Sequence, residues 1–174
     1  MQKPRLKLYH IDLKYIRNLA KIDDHVMSVS PQTGKANRPF VGVVIICDEK
    51  EYCIPLTSPK PKHEAMKNAK DFMKMFDKKG KLIGCLNFNN MLPVSSDVLI
   101  PVNMRYQPWM NAQDRAYIDL LNNQLDWCND HRENIVGKAG KLYRIITETP
   151  DKFPFLTKRC CDFRKLEQML EDRN

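Results

Sequence analysis

Two hydroxyls, a proline and a cation close a strand-like run at Tyr52 to Lys60, which reads Tyr-Cys-Ile-Pro-Leu-Thr-Ser-Pro-Lys. Tyr52, Ile54 and Leu56 recur at period two and would line one face of a strand, while Pro55 suits an edge or the last rungs of a ladder. Thr57, Ser58 and Lys60 then emerge at the strand's mouth. Two hydroxyl donors and an ammonium held close together can bind a phosphodiester and neutralise the charge that builds on its oxygens during transfer. The same residues also suit a plain turn, because Ser-Pro with polar neighbours ends strands in proteins that bind nothing. His63, just beyond, titrates near neutrality and could act as a general acid or base, or merely contact a ligand.

The elements around this block can be read from periodicity. Phe40 to Cys47, dense in Val and Ile, is the strongest strand signal, and Asp48 to Glu51 is a polar turn into the Tyr52 to Leu56 strand. The hairpin so formed places Arg38, before its first strand, at the same open end as Lys60. Arg38 offers a planar fork for two phosphate oxygens, whereas Lys60 offers a compact charge. Arg5 to Leu13 alternates as a first strand, Lys14 to Ala20 has a helical face, and residues 21 to 39 lack periodicity and are expected to be a long loop. Pro61 to Phe76 is ambiguous: Met66, Ala69, Met73 and Phe76 keep helical spacing, yet Phe72 to Phe76 also alternates like a strand. Leu82 to Phe88 and Val98 to Val102 are further strands, and five or six strands of this length favour a sheet that curls on itself. The last third is helical, with faces at Tyr117 to Cys128, Ile135 to Ile146 and Phe163 to Leu170.

Length and charge narrow the function classes. The chain of 174 residues suits a single domain spanning 1–174, with no run long enough to cross a membrane and no apolar leader, so a cytosolic protein is expected. The six cysteines form no Cys-x-x-Cys pair and read as reduced, mostly buried thiols; the four histidines show no ligand spacing, so no metal and no cofactor is expected. The net charge of +8 is uneven, with residues 1–81 holding 17 Lys and Arg against 9 Asp and Glu, while residues 82–174 hold 12 against 12. A basic half beside a hydroxyl-rich loop fits a polyanion, although a solvated lysine face would look the same. Lys62, Lys67, Lys70, Lys78, Lys79 and Lys81, with Phe72, Phe76 and Tyr106 interleaved, are candidates for gripping RNA.

The order of these residues resembles the ToxN/AbiQ family, the endoribonuclease toxins of type III toxin-antitoxin systems, and most of all its AbiQ and CptN branch. The most specific part is Tyr52, Pro55, Leu56, Thr57, Ser58, Pro59, Lys60 and His63. Lys14-Tyr15-Ile16 with Asp23 and Val26, Arg38-x-Phe40-x-Gly42, Asn87 with Met91 and Pro93, and Ile135 with Lys138, Ala139 and Leu142 support it in order along the chain. The resemblance implies an α+β fold, a compact and strongly twisted antiparallel sheet or partial barrel, similar to the MazF/Kid toxins, wrapped by helices. It therefore favours the strand reading of Phe72 to Phe76. It further implies metal-independent RNA cleavage and an antitoxin of repeated pseudoknot RNA, held with the protein in a closed ring. Cellular or phage mRNA would be the substrate and phage abortive infection the setting. Arg38, Thr57, Ser58, Lys60 and His63 are the catalytic candidates. Arg38 stands where other members can carry lysine, which keeps the charge but changes its geometry. A noncatalytic protein that binds structured RNA is the alternative.

Overall fold

A computed structural model describes residues 5–27 and 41–173. Seven antiparallel strands form an open, α+β sheet: β1 (Leu8–Ile11), β2 (Val41–Cys47), β3 (Lys50–Thr57), β4 (Phe72–Phe76), β5 (Leu82–Asn87), β6 (Leu92–Pro93) and β7 (Leu99–Pro101). Their order is β4-β5-β3-β2-β1-β7, with β6 also on β3. The sheet does not close into a barrel, because β4 and β7 end the path without pairing to each other.

The β2–β3 hairpin sits at the centre, with Cys47 opposite Lys50 and Gly42 opposite Pro55. Its two-residue turn holds Asp48 and Glu49 at φ 52 and 66, the left-handed pair whose twist matches the flanking strands. A two-residue turn makes Cys47–Lys50 a hydrogen-bonded pair, so by alternation Gly42–Pro55 is a non-bonded one and Pro55 directs its missing donor away from β2. On that far side β3 pairs β6 through Tyr52 and Cys53 and β5 through Leu56 and Thr57. Pro55 falls in the gap between the two partners. It is thus tolerated in an interior strand, on the last rung of the β2–β3 ladder, the second of the two places its type suits. Gly42 is required by close approach: a Cβ there would lie 2.4 Å from Cys53 Sγ and 2.6 Å from the Ile54 carbonyl oxygen.

Helices cover the sheet. They are α1 (Leu13–Ile22), α2 (Pro61–Ala65), α3 (Ala112–Asp130), α4 (Arg132–Glu148), α5 (Pro154–Arg159) and α6 (Phe163–Asp172). The Pro61 to Phe76 stretch divides into a short helix and a true strand, β4. The α3 chain turns in at Asn111, whose side chain accepts from the Asp114 N–H while the Asp114 carboxylate accepts from the Asn111 N–H. Against the hairpin, Tyr52 meets Tyr143 of α4 and Phe163 of α6 edge-on, each with 5.7 Å between ring centroids. Tyr143 also donates to the buried Glu167 carboxylate, which Lys50 of β3 pairs at 3.1 Å. The start of the Tyr52 block is therefore clamped to the helical layer, and its end is left at the open mouth. No helix among the described residues is long and apolar enough to cross a membrane.

Candidate active site

The Thr57–Lys60 segment leaves β3 and enters α2 at a point where two other strands contribute side chains. Thr57 and Lys74 both sit opposite Cys85 of β5, so residues of β3, β5 and β4 form one row on one face of the sheet. Asn87, two residues along β5, brings its Nδ2 to 3.5 Å from Thr57 Oγ1. From the other side of the sheet, the buried Gln124 of α3 donates to the Ile83 carbonyl at 2.8 Å and approaches the Thr57 carbonyl at 3.5 Å. Gly84 makes that approach possible: its φ is +151, and a Cβ would lie 2.4 Å from Gln124 Nε2 and 2.5 Å from the Thr57 oxygen. Ser58 is half-buried and Lys60 exposed.

His63 is 4% exposed and bonded to the backbone of Lys60 in both directions. Its ring Nδ1 accepts from the Lys60 N–H at 3.1 Å, and its own N–H donates to the Lys60 carbonyl at 2.9 Å. An accepting Nδ1 leaves the single proton of the neutral ring on Nε2. Burial lowers the His63 pKa below its ordinary value, and the nearby ammonium groups of Lys62, Lys60 and Lys74 lower it further. The imidazole is consequently neutral at pH 7 and holds the backbone that carries Lys60. Lys74 crosses beneath α2 and donates to the Glu64 and Met66 carbonyls at 3.2 and 2.9 Å. Three lysines thus converge on the end of β3.

The residues expected from sequence divide by place. Thr57, Ser58, Lys60 and His63 share this corner with Lys62, whereas Arg38 lies outside the described residues. Lys67 is exposed between α2 and β4, and Lys70, at the turn into β4, lies 5.7 Å over the Phe153 ring. Lys78, Lys79 and Lys81 occupy the β4–β5 turn, where the Asp77 carboxylate accepts from the N–H groups of Lys79 and Lys81. Asp126 and Asp130 of α3 share a groove with Lys78 and Lys79 and offset part of their charge. Phe72 is buried with its ring 5.8 Å from His63, and the exposed Tyr106 donates to Asp119. Lys74 and Asn87 were missing from the expected site because strand register, invisible in one strand read alone, is what puts Asn87 against Thr57 and Lys74 on the same row across Cys85.

Residues 7–171 match the family described as toxin ToxN, type III toxin-antitoxin system. The chain belongs to the ToxN family. It is 30% identical to the Endoribonuclease ToxN of Bacillus thuringiensis subsp. kurstaki over 173 residues, covering 98% of this chain and 85% of that protein. It is 25% identical to the Endoribonuclease ToxN of Pectobacterium atrosepticum, over 96% of this chain and 93% of the relative. Among solved structures it superposes with TM-score 0.80 on a type III toxin selectively inhibited by a non-coding RNA pseudoknot, at 25% identity over 98% of both chains. AbiQ, a lactococcal anti-phage endoribonuclease of the same system type, shares the fold with TM-score 0.80 at 24% identity, over 98% of this chain and 100% of that one.

Within this ToxN fold burial raises the pKa of the thiols, and the Asp23 carboxylate is engaged. All six cysteines are free and buried, and burial pushes the thiol of Cys85 up to about 11 even beside Lys74 and Thr57, so none is poised as a nucleophile. Asp23, Asp24 and His25 form the one group among the described residues that could hold a metal ion. Asp23 is already committed, however: Oδ1 accepts from the His25 N–H and faces the His25 ring, and Oδ2 accepts from the Asp162 N–H.

Proposed function

We propose that this chain is an endoribonuclease toxin of a type III toxin-antitoxin system that cuts RNA without a metal ion. The ribose 2′-hydroxyl loses its proton and attacks the adjacent phosphorus in line; the bond to the 5′ oxygen breaks and that oxygen takes up a proton. The products carry a 2′,3′-cyclic phosphate and a free 5′-hydroxyl. Thr57 and Ser58 hold the nonbridging oxygens, and Lys60 stabilises the charge that grows on them or protonates the leaving oxygen. Lys62 and Lys74 add to the positive field at the same corner, and His63 acts by holding Lys60. Arg38 enters as a phosphate clamp from the sequence alone.

The observation that carries this reading is the meeting of two hydroxyls, Asn87 and three lysines at the open end of the central hairpin, in a chain whose family relatives are named endoribonucleases. Lys62, Lys67 and Lys70 are proposed to grip the RNA backbone, with a smaller share from Lys78, Lys79 and Lys81 because of the aspartates beside them. The antitoxin is proposed to be a repeated pseudoknot RNA, processed by the toxin and assembled with it into a closed ring. A toxin inhibited by an RNA pseudoknot is a structural relative, which supports that choice. Cellular or phage mRNA is the substrate in a cytoplasmic role in abortive infection.

Expression without antitoxin tests the site. The wild-type chain should arrest growth, and Ser58→Ala and Lys60→Ala should relieve the arrest. Wild-type toxicity in both variants would remove the site assignment. RNA that the purified chain binds but leaves intact would favour the noncatalytic reading.

A further inference from the structure

Two hollows of about 590 and 540 Å³ open on the side of the molecule where α4, the turn into β4 and the Pro150–Arg159 segment meet. They share Ala69 and Lys70, so they form one continuous trough. Its walls carry Lys70, Lys138, Lys141, Lys152, Phe153 and Phe155, with Glu133 the lone acid among the described lining residues. Phe155 is 83% exposed, and the core gains nothing from a ring in that position. Arg159 is held by the buried Asp71 through two bonds of 2.7 and 2.8 Å, and Lys138 donates to the Ala69 carbonyl, so these two build the wall. Lys70, Lys141 and Lys152 stand exposed along it.

We propose that this trough binds an unpaired stretch of RNA, with Phe155 stacking on a base and Lys70, Lys141 and Lys152 on the phosphates around it. The proposal rests on the RNA reading of the chain and extends it to a surface built largely from the charge-balanced half of the sequence. An exposed ring flanked by ammonium groups matches a base between its phosphates in a single strand, and every base offers a π-face, so such a contact is tolerant of sequence.

A fluorescent 2′-O-methyl oligouridine, which cannot be cut by 2′-hydroxyl attack, reads binding by the full chain apart from catalysis. Phe155→Ala, a surface change, should weaken binding about tenfold with an unchanged salt slope. Lys141→Glu with Lys152→Glu should flatten the dependence of log K on log salt by about 0.7 for each lost phosphate contact. Wild-type affinity and slope in both variants, with melting temperatures intact, would overturn the proposal. So would polyglutamate displacing the oligouridine with no effect of Phe155→Ala, which would give the trough to an acidic protein. Ordinary RNA cleaved by a chain whose binding ignores these variants sinks the trough alone. RNA left uncut, while oligouridine binding responds as expected, sinks the nuclease reading alone.

Discussion

At the scale of single residues, the reading places different demands on Lys60 and His63. A donor aimed at developing charge is worth roughly 3 to 4 kcal/mol of barrier, so Lys60→Ala should cut the cleavage rate by about two to three decades, measured under single-turnover conditions. In the proposed mechanism His63 acts through Lys60, so the nature of its replacement should matter more than its titration. Asn can offer an acceptor where Nδ1 now receives the Lys60 N–H. His63→Asn is therefore expected to keep most of the rate and His63→Ala to lose it. A rate that instead follows the pH titration of His63, with Asn as inactive as Ala, would make the ring an acid or base. The hydroxyls and the cation were legible in the sequence, because residue types and their spacing within one segment carry that information. Lys74 and Asn87 were not, because their place on the row of Thr57 and Cys85 depends on which rungs of β3, β4 and β5 face each other.

Among the elements, the helix–sheet contact behind Thr57 is the most exacting. Gly84→Ala would drive a methyl group into Gln124 and the Thr57 carbonyl at a backbone angle that favours glycine. It should destabilise the fold by about 1 to 3 kcal/mol in chemical denaturation and lower activity beyond what the stability loss explains. A second junction ties the end of α1 to α5. The His25 ring faces acceptors on both nitrogens, Asp23 Oδ1 at 2.8 Å and the Lys158 carbonyl at 2.6 Å, an arrangement satisfied only by the doubly protonated ring. The bond to Asp23 raises the His25 pKa against the pull of burial. A raised folded-state pKa stabilises fully below the unfolded value of about 6.5 and is lost as pH climbs through the folded value. The melting-temperature gap between wild type and His25→Gln should thus be widest in mild acid and close above neutrality; a gap constant with pH would contradict this. The element types themselves were largely readable, since the Val- and Ile-rich strand and the helical stripes have strong periods. Pro55 was readable as an edge or a last-rung residue, and the structure takes the last rung; the change of partner along β3 that accommodates it is a tertiary fact. Phe72 to Phe76 fits both periods; the family resemblance favoured the strand, and pairing with β5 makes it one.

For the whole molecule, charge along the sequence marks the basic half but not the lysines that packing adds to it. Lysines 138, 141 and 152 come from the balanced half and join Lys70 only because α4 and the α5 segment pack beside β4. The aspartates of α3 likewise reach the β4–β5 turn and temper its lysines. Hence charge reversal at Lys60 and Lys62 is expected to flatten the salt dependence of RNA binding more than reversal at Lys78 and Lys79. The central claim is that one corner of the sheet, with its hydroxyls and lysines, performs the cleavage on protein groups alone. It is tested most directly by incubating RNA-free protein with a long mixed-sequence RNA in excess EDTA and determining the ends of the products. Cyclic phosphate and 5′-hydroxyl ends, absent with Ser58→Ala and Lys60→Ala, are the result the account predicts. Intact RNA, or cleavage that appears only when a divalent ion is restored, would contradict it.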